Sequence, residues 1–180
     1  MESHHAVGSF GKYSYHAGFT IMSWPSDGQK YLHVGNYCSI ANGLTVILGG
    51  NHMINWVTTY PFGDRFKHIF SARSGNPSYS NGDIRIGNDV WIGTNVTLMS
   101  GITIGDGAVI AANTHVVKDV PPYAIIGGNP ARIIKYRFTP ELINALLKIQ
   151  WWNWPEEKIN ANIPLMCNDD IDEFVSKHTG

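Results

Sequence analysis

The chain has 180 residues and a formal net charge of −1, a length that suits one domain with a modest appendix and a real hydrophobic core. So even a charge balance offers no electrostatic footprint for nucleic acid or an anionic membrane, and neither is expected as a partner. Charged residues make up 15% and hydrophobic ones 43%, so part of the surface is expected to be covered by another copy of the chain.

Met1 to Ser9 lacks a basic-then-apolar leader pattern, and no later stretch approaches the roughly 20 apolar residues that span a bilayer, so a cytoplasmic protein is expected. Two histidines, His4-His5, are too few to decide whether a tag remnant is present. Cys38 and Cys167 stand far apart with no partner spacing, which implies neither a disulfide framework nor a thiolate metal site. The segment from Val7 to Lys30 matches no pattern well. From Val34 a repeat begins: Val34, Ile40 and Val46 are six apart, with Cys38 and Leu44 in a second row.

The period is then interrupted by an insertion from Gly49 to about Gly82, because Val34 and Ile86 are not separated by a multiple of six. A loop this long thrown out of a regular repeat is usually functional. The repeat resumes as Ile86, Ile92, Leu98, Ile104, Ile110 and Val116, with Val90, Val96, Ile102, Ala108, Thr114 and Val120 as a second, mostly apolar row. A helix repeats at 3.6 and an exposed strand at 2, so a sustained spacing of six predicts a mainly β solenoid whose corners are turned by Gly and Asn. Asp89 and Asp106 fall at such corners and read as turn formers.

Pro121-Pro122, Gly127-Gly128 and Pro130 end the repeat, and an open coil needs caps against edge-on association. Thr139-Pro140-Glu141 reads as an N-cap, a first-turn proline and a first-turn acid, opening a helix through Leu142, Ile143, Leu146, Leu147 and Ile149. Further helices are expected from Pro155 to Asn162 and around Asp169 to Lys177. The division expected is a β-helix domain over 1–138, with its loop at 49–82, and a C-terminal helical cap over 139–180.

These repeats resemble the left-handed parallel β-helix of the hexapeptide-repeat acyltransferases. The loop sequence Asn51-His52-Met53-Ile54-Asn55-Trp56 with Thr59-Tyr60-Pro61-Phe62 is similar to the xenobiotic acetyltransferase branch, as are Asp119-Val120-Pro121-Pro122-Tyr123-Ala124 and Gly127-Gly128-Asn129-Pro130-Ala131. That branch includes streptogramin acetyltransferases, hexapeptide-type chloramphenicol acetyltransferases and sugar-modifying relatives. The resemblance covers about Tyr31 to Trp154. It implies a homotrimer with active sites between subunits, acetyl-CoA as cosubstrate, no metal, and transfer of acetyl to an amine or hydroxyl of a small acceptor.

By the same resemblance His52 is the general base, a task that neutral imidazole suits near pH 7, and attack is direct because no Ser or Cys sits in a nucleophile motif. Trp91 would shape the CoA channel beside the thioester. The pantetheine arm would follow Gly93, Ala111 and Ala112, and Lys118, Arg132 and Lys135 would meet the phosphates. Asn51, Asn55, Trp56 and Tyr60 are the expected acceptor-binding residues. Asn55 departs from the family, where an acid is common at that place, and so bears on acceptor choice.

Other readings stay beside these. Trp91 also suits a packed or interface aromatic, Lys118, Arg132 and Lys135 suit solvated charges, and Trp151, Trp152 and Trp154 suit cap packing. An amino or hydroxy sugar, nucleotide-linked or in a glycan, is the first acceptor class, and chloramphenicol or a streptogramin the second. A non-catalytic scaffold is the rival of another class. A metal-dependent relative of carbonic anhydrase would need three histidines to converge, and His33, His52 and His115 lack that family's spacing.

Overall fold

A computed structural model describes residues 6–62, 65–72 and 75–179; the His4-His5 pair lies outside the described residues. The first coil consists of β1 (Val7–Phe10), β2 (Tyr15–His16) and β3 (Phe19–Met22), and the second of β4 (Leu32–Val34), β5 (Ser39–Ile40) and β6 (Leu44–Ile47). A small hairpin follows, β7 (Asn51–His52) with β8 (Ser78–Tyr79). The third coil is β9 (Ile84–Ile86), β10 (Trp91–Ile92) and β11 (Thr97–Met99), and the fourth is β12 (Thr103–Ile104), β13 (Val109–Ile110) and β14 (His115–Val116). β15 (Ala124–Gly127) and β16 (Arg132–Tyr136) end the solenoid.

Strands of equal rank stack in parallel to give the three faces of a left-handed β-helix. Face A is β1-β4-β9-β12, face B is β2-β5-β10-β13-β15, and face C is β3-β6-β11-β14. β16 turns back antiparallel to β15 and covers the open edge of face B, which removes a template for strand addition. Each inward row becomes a stack: Ile40, Ile92 and Ile110 lie at 0–1% exposure, one above the other. Burying an aliphatic side chain of this size stabilises by roughly 1.5–3 kcal/mol, and the whole prism interior is built of such stacks.

The insertion leaves this register intact. At the A–B corner, Lys12 N–H donates to Asn36 Oδ1, Asn36 N–H to Asn88 Oδ1 and Asn88 N–H to Asp106 Oδ1, linking residues 24, 52 and 18 apart. The middle step is one regular 18-residue turn plus the segment 49–82, whose two ends therefore leave and rejoin adjacent coils. Asp89, at φ 54°, and Asn95, at φ 57°, occupy the left-handed region at corners, where short polar side chains are tolerated best.

Residues 7–30, which match no pattern in the sequence, nevertheless form a complete coil. Phe10 is paired with Val34, His16 with Ile40 and Phe19 with Leu44, so aromatic rings replace aliphatics in the inward positions. Their rings meet edge to face, Phe10 to His16 at 5.7 Å and His16 to Phe19 at 4.6 Å. A terminal coil has a neighbour on one side only, so wide rings that close the mouth of the prism serve it better than the repeat's aliphatics.

After β16 the chain forms α1 (Pro140–Ile149), α2 (Glu156–Met166) and α3 (Ile171–His178). Thr139 caps α1 by accepting from Leu142 N–H at 3.4 Å. α2 runs past the expected end at Asn162 and through Pro164, because Leu165 and Met166 pack into the cap's own core with Tyr123, Leu146 and Phe174. The helices lie along the A–B corner. There Trp151 meets Tyr37 at 4.9 Å, the Trp152 carbonyl accepts from Asn36, and Tyr13 donates to Glu156. Arg137 reaches Asp89 at 3.2 Å; burial pushes the Asp89 carboxyl above its usual range and the guanidinium opposes that rise. Among the described residues no helix is long and apolar enough to cross a membrane.

Candidate active site

The loop leaves the end of face C and returns to the start of face A, so it is rooted at the C–A corner. Its root is pinned by polar contacts to the solenoid: Ser80 Oγ donates to the Leu48 carbonyl at 2.5 Å, and Asn51 Nδ2 donates to Ser100 Oγ at 3.2 Å. Ser100 is itself buried and also accepts from Asn81 N–H. The amide of Asn51 is thus engaged in holding the loop. Beyond these ties β7 and β8 pair antiparallel, Asn51 with Tyr79 and His52 with Ser78.

His52 is exposed, and its Nδ1 lies 2.6 Å from the Thr59 carbonyl oxygen. A carbonyl can only accept, so in the neutral ring Nδ1 carries the hydrogen and Nε2 keeps its lone pair. A segment seven residues along the loop thereby selects the tautomer in which Nε2 can take a proton. Thr59 acts through its backbone, which is why no side-chain pattern in the sequence singles it out for this role.

Around His52 the loop exposes apolar surface. Ile54 is 83% exposed and Val57 fully so, while Trp56, Tyr60 and Phe62 are each 39% exposed. Tyr60 packs on Phe62 at 4.7 Å and Phe62 on Phe70 at 5.0 Å, and the Trp56 indole lies over Gly75. Asn55 sits in an exposed turn between Ile54 and Trp56. Trp56, Tyr60 and Asn55 therefore share one loop with His52, and Asn51 lies at its root.

Of the residues expected along CoA, Trp91, Arg132 and Lys135 lie on face B and Gly93, Ala111 and Ala112 at the B–C corner. Lys118 instead lies between β14 and Val120 at the C–A corner, away from the others. Trp91, 58% exposed, heads an outward column that continues through Val109 and Ile125 to Lys135. Three strand spacings separate its ends, roughly 14 Å. Arg132 lies at the other end of β16, where it donates to the Ala131 carbonyl, and Lys118 is exposed beyond β14. Gly93 and Ala111 stack in successive coils beside this column. A Cβ on Gly93 would meet the backbone nitrogen of Ala112 at 2.7 Å, so coil-to-coil packing by itself requires glycine there.

His52 springs from the prism corner opposite face B, so one chain holds the expected base and the expected CoA column on different sides. Asp27, within the segment Val7 to Lys30 that matches no pattern in the sequence, stands against the root of the loop. His33 lies on face A, His115 on face C and His52 in the loop. Among the described residues no three His, Cys, Asp or Glu side chains gather closely enough to hold a metal ion.

Residues 83–118 match the family model described as bacterial transferase hexapeptide (six repeats). The chain is 41% identical over 173 residues to a chloramphenicol acetyltransferase of Morganella morganii, spanning 89% of this chain and 82% of that one. It is 46% identical over 160 residues to a probable macrolide acetyltransferase of Lysinibacillus sphaericus, spanning 84% and 86%. Among solved structures it is similar to the polySia-specific acetyltransferase NeuO, with a TM-score of 0.53 and 30% identity over 73% of this chain and 54% of that one.

Proposed function

The chain belongs to the hexapeptide-repeat acetyltransferases, whose acyl donor is acetyl-CoA, and from that premise we propose that it O-acetylates a hydroxyl of an amphipathic antibiotic-class acceptor, with His52 as general base. The observation that carries the base assignment is the bond from Nδ1 to the Thr59 carbonyl, which leaves Nε2 as the proton acceptor. Acetyl-CoA supplies the thioester. As the acceptor oxygen attacks the acyl carbon, His52 Nε2 takes its proton, and when the carbon–sulfur bond breaks the same proton passes to the leaving thiolate. The imidazole ends neutral, with no acyl group carried on the protein.

Two features favour this acceptor class. Relatives named for chloramphenicol and macrolides span more than four-fifths of their own length in the match. The loop around His52 also offers Ile54, Val57, Trp56, Tyr60 and Phe62 at its surface, which suits a partly apolar molecule better than a charged nucleotide sugar. The order given to the two acceptor classes from sequence is thereby reversed. A sugar hydroxyl stands as the second reading, favoured by the likeness to NeuO.

The opposed positions of His52 and the Trp91–Lys135 column support a homotrimer in which the loop of one subunit faces the B face of its neighbour. Exposed Trp91, Ile133, Ile134 and Tyr136 would then be covered. Thiol release from acetyl-CoA tests the function. Chloramphenicol, a streptogramin and a macrolide form one panel, nucleotide-linked and free sugars the other. Release with the first panel is the expected result; release with sugars alone would replace the proposal by the second reading. Sedimentation at assay concentration tests the trimer.

A further inference from the structure

The connection from the first coil to the second is longer than a regular corner, and its surplus forms a short 3-10 turn, Pro25–Asp27. This turn lies against the root of the loop. Asp27 Oδ2 accepts from Gly50 N–H at 2.7 Å, two residues before His52, and Oδ1 accepts from Ser78 Oγ at 2.5 Å, on the residue paired across from His52. One carboxylate therefore ties together both strands of the hairpin that carries the base. Asn76 Nδ2 adds a third tie, to the Ser26 carbonyl at 2.9 Å.

We propose that Asp27 is a positioning residue, holding the β7–β8 hairpin so that the His52 ring stays on the Thr59 carbonyl with Nε2 free; this rests on the reading of His52 as base. A two-stranded ribbon this short has little stability of its own, so its geometry must come from outside it. Hydrogen bonds to an ionised acceptor are roughly twice as strong as neutral ones, and Asp27 supplies two. The Gly49-Gly50 pair fits this seat. A Cβ on Gly49 would stand 2.6 Å from Asp27 Oδ2, and one on Gly50, at φ 78°, would stand 2.7 Å from the Trp24 indole. Both glycines make room for the Trp24–Asp27 segment to close on the loop.

The test uses the full chain and reads the ring nitrogens of His52 by 15N resonance, with its signals identified by their loss in His52→Asn. The parent is expected to show hydrogen on Nδ1. In Asp27→Ala that tautomer should give way to a mixture, and kcat with acetyl-CoA and chloramphenicol should fall about ten- to a hundredfold, since a misplacement near 1 Å costs that much. KM for acetyl-CoA should stay within about twofold, because the ties concern the base and not the donor. Asp27→Asn should restore most of both readouts, its amide oxygen still accepting from Gly50 and its nitrogen donating to Ser78. If Asp27→Ala fails to fold, Ser78→Ala removes one tie and should shift the ring spectrum partway.

A ring spectrum like the parent's in whichever of these two variants folds overturns the proposal, whatever happens to the rate. Full activity in His52→Asn overturns the base reading itself, independently of the Asp27 result.

Discussion

His52→Asn separates what the imidazole does chemically from what it does for the loop. The asparagine Nδ2 can stand near the place of Nδ1 and donate to the Thr59 carbonyl, which lies 2.6 Å from Nδ1 in the parent, but the variant has no atom where Nε2 was. Keeping that hydrogen bond preserves about 1 kcal/mol, so Tm should stay within about 2–4 °C of the parent. General base catalysis contributes about 10²–10⁴ in rate, and at 1.36 kcal/mol per tenfold this is about 2.7–5.4 kcal/mol of barrier. The assay is thiol release at saturating acetyl-CoA, with chloramphenicol as the first acceptor. His52→Ala serves as control: it should lose the rate equally and more of the stability. A folded His52→Asn protein within about tenfold of parental kcat would refute the argument, since the asparagine amide cannot take the acceptor's proton.

Replacing Arg137 by Ala leaves the Asp89 carboxyl with burial and with Asp106 unopposed. The loss should be about 1–3 kcal/mol at pH 7, below the 3–5 of a fully buried pair because both side chains are near 30% exposed. The sign with pH is distinctive. A carboxyl whose folded-state pKa lies above its unfolded value binds its proton more tightly in the folded state. The deficit should therefore shrink as pH falls through the raised value and grow as pH rises through it, which denaturant titrations at several pH values would show. Gly93→Val drives a Cβ against the backbone of Ala111 and Ala112, which has no room to yield, and should lower Tm by about 3–10 °C from an overpacking cost of 1–3 kcal/mol. Cys38 is buried, and burial pushes its thiol up, whereas Cys167 is exposed; a thiol reagent should titrate one group per native chain and a second only after unfolding.

The six-residue spacing from Ile86 to Val120 was sufficient to determine the solenoid, because each inward aliphatic touches its counterpart one coil away and the register propagates without long-range decisions. The loop boundaries at 49–82 and the cap on Thr139 were legible for similar reasons, being a break in period and a local hydrogen bond. The reading of His52 as base rests, in the sequence, only on the resemblance of its surrounding loop. Three things were decided by tertiary structure alone. Residues 7–30 form a coil because Phe10, His16 and Phe19 stack on the row beneath, a substitution of rings for aliphatics that erases the period. The tautomer of His52 is set by a backbone oxygen, which any residue at position 59 except through its conformation would present equally. Asp27 meets Gly50 and Ser78 across separations of 23 and 51 residues, and contacts between segments so far apart leave no periodic trace; they exist only once the coils have stacked and brought the turn against the loop.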